Sequence, residues 1–243
     1  MTPGGRSVSV RGMRGPLAAI ALFAAVSPLH AQDPLPPSLR GAEKLNALVA
    51  RVSEAQRGTT TLSARFEQHR ESHLLAEPAV AHGRFYYRAP DLVRWEYDVP
   101  RPMTVLVTGG TVVTYRPEER RAERVEVGRV QRRFLRFFSA TQPLSDLREH
   151  FDFTLRDPGG DGRFELELRP TTPQIKRRLR SIRLEIDRER FFPVVVAYDE
   201  PDGDLTRYLF SEVIVNAPVD REVFSLELPA DVEVVELRVR GDE

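Results

Sequence analysis

The amino-acid sequence predicts a mainly β protein with a few helices, built on about 10–11 antiparallel strands. Apolar and other residues alternate with period two from Leu62 almost to the C terminus, as in strands with one buried face. Turn sequences rich in glycine, proline and aspartate separate these segments. The 243 residues contain no internal repeat or linker, so residues 38–243 are expected to form a single domain.

Two segments favour helices. Leu45, Leu48, Val49 and Val52 form one apolar stripe at helical spacing, and Ser38 is a candidate N-cap of this helix. Gly58 is expected to end it. A second, shorter helix is predicted over Val130 to Phe138, a segment dense in aromatic residues.

The predicted strands follow one another like a meander. Their inward positions are Leu62, Ala64 and Phe66; Val93, Trp95 and Tyr97; Met103, Val105 and Val107; Val113 and Tyr115; Phe151, Phe153 and Leu155; Phe164, Leu166 and Leu168; and Ile182, Leu184 and Ile186. The remaining strands are predicted over 194–198, 205–215 and 224–228. Residues 157–162 and 201–204 are expected to be hairpin turns.

Roughly ten strands with one apolar face each present more apolar surface than two or three short helices can cover. Three arrangements bury such a face: a closed barrel, a sandwich, or a curled half barrel capped by the helices. Periodicity alone favours the barrel or the sandwich.

The N-terminal residues 1–31 have the pattern of a secretory signal peptide. Arg6, Arg11 and Arg14 precede an apolar run within residues 16–26, and Ala31 is a small residue at the expected cleavage position. The run is about half the ~20 residues that a membrane-spanning helix needs. We therefore expect a periplasmic protein without stable membrane insertion, with residues 32–37 as a flexible lead-in.

Composition excludes several functions. The 36 basic and 36 acidic side chains balance, and loss of three arginines with the signal peptide leaves the remainder slightly acidic, which disfavours nucleic-acid binding. There is no cysteine, so neither a disulfide nor a cysteine nucleophile is available. Serine-hydrolase and zinc-protease motifs are missing, and the carboxylates at 199–204 fit a hairpin turn better than a calcium loop. We expect no enzymatic activity, no cofactor and no metal.

Several motifs in a fixed order carry a family resemblance. The sequence Gly83 to Pro102 places a glycine, an aromatic strand, a Pro-Asp turn and then Arg-Trp-Glu-Tyr before a second proline. Before it lies Ser63-Ala64-Arg65-Phe66-Glu67-Gln68. After it come Gly109-Gly110 and the strand at 112–117. The C-terminal pattern of the family follows, as Phe224 to Leu228 with Pro229 and Val232. Together these resemble the LolA family of periplasmic carriers of outer-membrane lipoproteins.

The resemblance implies a half barrel with a helical lid over its concave apolar face, where acyl chains bind. The implied cavity residues are Leu62, Phe66, Val93, Trp95, Tyr97, Val105, Val107, Tyr115, Phe134, Phe137, Phe138, Ile182 and Leu184. Its implied partners are acylated lipoproteins, an inner-membrane ABC exporter and an outer-membrane receptor, with the carrier acting as a monomer and without a cofactor.

One position departs from the family pattern. Many members have an arginine directly before the hairpin proline, where it helps to latch the lid, but this chain has Ala89. Arg88 and Arg94 are the nearest latch candidates, although each is expected on the face opposite the apolar one. This departure leaves open a carrier of free lipid or glycolipid, or a regulatory module of related fold that senses lipoproteins.

Overall fold

A helix opens the part of the chain that the computed structural model describes, residues 34–74, 77–126, 143–160 and 162–238. Helix α1 spans Gly41–Arg57 and ends at Gly58, as predicted. It begins two residues later than a helix capped by Ser38 would, and its N-cap is Arg40. Ser38 is not its cap, because the Leu39 amide bonds to the Pro36 carbonyl and holds Ser38 in a turn before the helix.

Twelve strands form one sheet in the described residues, against the 10–11 predicted. They are β1 Thr61–Glu71, β2 Ala79–Arg88, β3 Leu92–Val99, β4 Met103–Thr108, β5 Thr111–Arg116, β6 Arg121–Glu126, β7 Phe151–Arg156, β8 Phe164–Pro170, β9 Ser181–Ile186, β10 Pro193–Asp199, β11 Leu205–Val215 and β12 Glu233–Arg238. The short helical elements are η1 Leu144–Glu149, α2 Pro173–Lys176 and η2 Arg221–Phe224.

The strand order is β12-β6-β5-β4-β3-β2-β1-β11-β10-β9-β8-β7. Two meanders, β1–β6 and β7–β11, therefore meet where β1 pairs with β11. All pairs are antiparallel except β12 with β6. In the described residues, β7 and β12 are free edges of a single open sheet, so the half barrel is confirmed over the closed barrel and the sandwich.

The hairpin turns lie where glycine, proline and aspartate predicted them. Pro90 and Asp91 link β2 to β3, and Gly109-Gly110, both with positive φ, link β4 to β5. That backbone conformation is costly for residues with a Cβ, which explains the glycine pair.

The close approach of three strands depends on Gly83 in β2. A Cβ at this position would lie 1.9 Å from the Glu96 carbonyl oxygen and 2.7 Å from the Phe66 ring. The β2–β3 register also shifts between His82 and Gly83. A bulge at a glycine is a common way for a sheet to curl.

The predicted strand at 224–228 is wrong. Phe224 ends η2, and the last strand is β12, which starts at Glu233. Residues 216–232, here called the crossing segment, run from the end of β11 past β2 and β3 to the far edge of the sheet. The alternation of apolar residues there suits a strand, but a segment that crosses over strands has no free edge to pair with.

Candidate functional site

The candidate site is the concave face of the half barrel, and the strand register identifies its side chains. Directly paired residues point to the same side of a sheet. Phe66 of β1 is paired with Gly83 of β2, and Gly83 with Tyr97 of β3. In the next row, Ala64, Phe85, Trp95 and Val105 follow one another across β1 to β4.

An aromatic cluster occupies this face. Its members are Phe66, Phe85, Trp95, Tyr97, Tyr208 and Phe210. Trp95 is central, with ring centroids at 4.6 Å from Phe85, 5.0 Å from Phe66 and 5.1 Å from Tyr208. The contacts are edge-on or tilted, which is the arrangement that aromatic quadrupoles favour.

The glycine at position 83 is also part of this site. Because Gly83 has no side chain, the rings of Phe66 and Tyr97 meet across it at 5.0 Å, nearly perpendicular. The residue that lets the sheet curl therefore brings two members of the aromatic cluster together.

The aromatic cluster has a buried floor and a more open upper layer. Phe66 and Phe85 are 2% and 1% exposed. Trp95, Tyr97, Tyr208 and Phe210 are only partly buried by the described residues. Large apolar side chains that stay partly open on a concave surface are a typical setting for an apolar ligand.

The other half of the concave face is filled. Leu48, Val49 and Val52 of α1 join the apolar side chains of β7–β10 in one buried cluster. Ile182 and Leu184 belong to this cluster and are 0% and 6% exposed, so they are core residues rather than lining of an open cavity. Alternation showed the face on which they lie, but not that α1 covers this stretch of it.

An ion-pair group holds α1 in place. Asp157, after β7, binds Lys44 of α1 and Arg188 of the β9–β10 loop. Burial opposes its charge, but hydrogen bonds from Lys44, Arg188 and the Gly159 amide hold the pKa of Asp157 below its usual value. Helix α1 is thus a fixed part of the core.

Three tyrosine hydroxyls border the aromatic cluster. The Tyr97 and Tyr208 oxygens are 3.4 Å apart, and the Tyr198 ring lies edge-on to that of Tyr208. Burial raises the pKa of all three hydroxyls above the ordinary value, because an anion would be poorly solvated there. They are neutral groups that can still form hydrogen bonds.

The predicted cavity residues are only partly brought together. Leu62, Phe66, Val93, Trp95, Tyr97, Val105 and Val107 lie on the concave face beside or within the aromatic cluster. Tyr115 does not, because Val105 pairs with Thr114 and so Tyr115 lies on the convex face. Phe134, Phe137 and Phe138 lie outside the described residues, as does the predicted helix that contains them.

Sequence reasoning missed three members of the cluster. Phe85 was seen as part of an aromatic strand, and Tyr208 and Phe210 lie in the predicted strand 205–215. In the sheet Phe85 pairs with Trp95 and Phe210 with Phe66, while Tyr208 pairs with Gln68 and its ring contacts Trp95. The sequence alone does not give these pairings. Tyr208 and Phe210 alternate along β11, so periodicity could have flagged them as sharing a face.

Both latch candidates contact the crossing segment. The Arg88 guanidinium donates to the Val219 carbonyl at 2.9 Å. That of Arg94 donates to the carbonyls of Val223 and Ser225 at 3.0 and 2.9 Å. Both arginines lie on the convex face, as the sequence indicated. Their role as a latch stays a prediction, since the proposed lid is outside the described residues.

A pocket of about 300 Å³ opens at one end of the concave face. We call it the end pocket. Its floor includes Ala79 and Ala81 of β2, and its walls are the β3–β4 loop around Arg101 and the β5–β6 loop with Glu118 and Glu119. Tyr97 lines it too, and so connects it to the aromatic cluster.

The described residues contain no group of His, Cys, Asp and Glu side chains arranged to hold a metal ion. Within the same ranges, no helix is both long and apolar enough to cross a membrane.

An open half barrel with a partly exposed aromatic cluster on its concave face defines a class of protein that binds apolar ligands. The family profile described as "Outer membrane lipoprotein carrier protein LolA" matches residues 57–227. The chain belongs to the LolA family.

Comparison with solved structures gives similar folds at low sequence identity. MucB is 16% identical with a TM-score of 0.49, covering 80% of this chain and 66% of its own. An uncharacterized conserved protein from Thermus thermophilus is 14% identical, with a TM-score of 0.49 and coverage of 79% and 99%. The Mycobacterium tuberculosis lipoprotein LppX is 15% identical, with a TM-score of 0.43 and coverage of 72% and 98%. A search of the curated proteins by sequence gave no match.

Proposed function

We propose that this protein is a periplasmic carrier that binds the acyl chains of lipoproteins and shuttles them from the inner to the outer membrane. The observation that carries the proposal is the partly exposed aromatic cluster on the concave face of an open sheet. Family membership supports the cargo class. In this proposal, residues 1–31 direct export, an inner-membrane ABC exporter loads the carrier, and an outer-membrane receptor unloads it.

The shape of the site suits transfer. Each methylene removed from water contributes about 0.8 kcal/mol, so full burial of several acyl chains would make release very slow. Within the described ranges, α1 fills one half of the concave face and the other half stays open. A ligand held on this open half stays partly in contact with solvent, which limits its affinity and favours onward transfer.

The first test is mass spectrometry of the protein purified from periplasm without detergent. Acylated proteins or peptides at near-stoichiometric amounts are expected. If only free lipids co-purify, the cargo is lipid rather than lipoprotein. An empty protein that excludes apolar dyes would contradict a carrier of either kind.

The second test is Trp95→Glu. A carboxylate among Phe66, Phe85 and Tyr208 is expected to lower cargo retention by at least about tenfold, because burying a charge without a partner is costly. Phe137→Glu is the parallel change in the proposed lid. Ile214→Glu is the matched control, since Ile214 is 54% exposed and pairs with Ser63 on the convex face. Circular dichroism checks the fold, and a folded Trp95→Glu protein that retains its cargo would contradict the site.

A carrier of free lipid is the second candidate. Ala89 replaces the pre-proline arginine, and the neighbouring Arg88 is bound to the Val219 carbonyl on the convex face. The concave face therefore has no arginine at this point of the β2–β3 hairpin. The mass spectrum of the co-purified material distinguishes the two cargoes.

A further inference from the structure

The end pocket differs chemically from the apolar face beside it. Three arginines, Arg70, Arg101 and Arg116, and two glutamates, Glu118 and Glu119, line it. The aromatic cluster offers no charged group. An apolar chain alone gives no reason for five charged side chains at the end of the face.

The volume fits a headgroup rather than a whole lipid. About 300 Å³ is at the lower end of the range for pockets that hold small molecules. The small side chains of Ala79 and Ala81 leave this space, because they occupy β2 positions beside Arg70 and Gln68 of β1. Tyr97 and Met103, paired across β3 and β4, form the border with the aromatic cluster.

The arginines are only weakly engaged by protein carboxylates. Arg70 lies 3.4 Å from Asp204 and is half exposed, and Arg116 lies 3.4 Å from Glu123. Both contacts are long and both arginines remain partly exposed, although Asp204 itself is buried, so their guanidinium groups keep hydrogen-bonding capacity for a ligand. In the described part of the chain, the Arg101 side chain has no carboxylate within ion-pair distance. Arg101 is exposed between Pro100 and Pro102, whose rings limit the backbone of its loop.

The two signs of charge select the ligand. A guanidinium binds a phosphate through paired hydrogen bonds, and a carboxylate accepts hydrogen bonds from a primary ammonium. Glu118 and Glu119 would repel a purely anionic headgroup, and the three arginines would repel a purely cationic one. A group that carries both a phosphate and an ammonium satisfies both sets.

We infer that the end pocket binds the phosphoethanolamine headgroup of a phospholipid whose acyl chains lie on the aromatic cluster. Arg101, with Arg70 and Arg116, contacts the phosphate, and Glu118 and Glu119 contact the ammonium. The inference rests on the acyl-chain site of the proposed function, but its ligand is a free phospholipid, the cargo of the second candidate, and it adds a recognition site for the polar end of that ligand.

The test measures affinities of the delipidated exported protein for short-chain lipids with identical acyl chains. Dioctanoyl phosphatidylethanolamine, dioctanoyl phosphatidylglycerol and an uncharged chain probe, 1-decanol, are titrated by calorimetry. Trp95, the only tryptophan of the chain, reports acyl-chain occupancy by its fluorescence. Glycerophosphoethanolamine tests whether the headgroup binds without chains. Phosphatidylethanolamine is expected to bind about three- to fivefold more tightly than phosphatidylglycerol.

Two variants separate the contacts. Arg101→Ala is expected to weaken the binding of both phospholipids about three- to fivefold and to leave that of 1-decanol unchanged. The double variant Glu118→Gln with Glu119→Gln is expected to weaken only phosphatidylethanolamine. Arg65→Ala is the control, because Arg65 lies on the convex face in an exposed pair with Glu212.

Equal affinity for the two phospholipids, tighter binding of phosphatidylglycerol, or wild-type affinities in Arg101→Ala would overturn the headgroup site. If 1-decanol still binds and still changes the Trp95 fluorescence in that case, the acyl-chain site of the proposed function holds. If neither phospholipid nor 1-decanol changes the Trp95 fluorescence, the proposed function itself fails.

Discussion

At the scale of single residues, Gly83 has the strongest structural requirement. A Cβ at this position would meet the Glu96 backbone at 1.9 Å and the Phe66 ring at 2.7 Å. Gly83→Ala must therefore shift β3 or Phe66, and we expect it to lower the free energy of unfolding by about 1–3 kcal/mol. Urea denaturation measures the loss.

Gly58→Ala is the matched control for this substitution. Its φ is −75°, and its Cβ would have no neighbour closer than 3.5 Å. A small gain in stability or no change is expected, since alanine reduces the freedom of the unfolded chain. Equal losses in both variants would mean that the effect reflects glycine in general and not the close approach at β2.

The face of the sheet on which a side chain lies could be predicted from the sequence wherever alternation and one strand boundary were enough. Phe66, Val93 and Trp95 lie on the concave face as expected. Tyr115 does not, because the β4–β5 register pairs Val105 with Thr114. A shift of one residue reverses the face, and the pairing across Gly109-Gly110 sets it.

At the scale of elements, Asp157 links α1 to the sheet. The Asp157 pKa is lower in the folded protein than in the unfolded chain, so its contribution to stability is present above pH 4 and is lost as the pH falls below that. Asp157→Asn is expected to lower the free energy of unfolding at pH 7 by about 1–3 kcal/mol and to reduce the further loss between pH 4 and pH 2.

Urea unfolding at pH 7 and pH 3 checks this expectation. Asp152→Asn on the neighbouring β7 is the control, because Asp152 is exposed. A wild-type protein and an Asp157→Asn variant with parallel pH dependence would contradict a stabilising role for the carboxylate.

Elements were predicted well where a periodic segment ends at a clear turn, and poorly where tertiary contacts decide. The β2–β3 and β4–β5 hairpins follow from Pro90-Asp91 and Gly109-Gly110. The path of the crossing segment could not be predicted from Phe224 to Leu228, because the alternation there suits a strand. Arg88 and Arg94 hold it through backbone carbonyls, and such contacts between distant parts of the chain leave no local pattern.

At the scale of the whole molecule, one sheet serves two purposes. Residues of β7–β10 form a permanent core with α1, while β1–β3 and β11 carry the aromatic cluster. Sequence periodicity predicted the apolar face along the entire sheet. It could not show how α1 divides that face, because the division depends on where a single helix lies.

This division predicts unequal stability within the sheet. Side chains of β8 and β9 alternate between fully buried and more exposed positions, whereas every residue of β5 is partly exposed. Backbone amides of β8 and β9 are therefore expected to exchange with solvent only on global unfolding, and those of β4 and β5 by local opening.

An acyl ligand on the aromatic cluster should slow exchange in β3 to β5 and leave β8 and β9 unchanged. Hydrogen–deuterium exchange with and without dioctanoyl phosphatidylethanolamine measures both effects. Uniform protection across the sheet, or ligand protection confined to β8 and β9, would contradict a binding face on the open half.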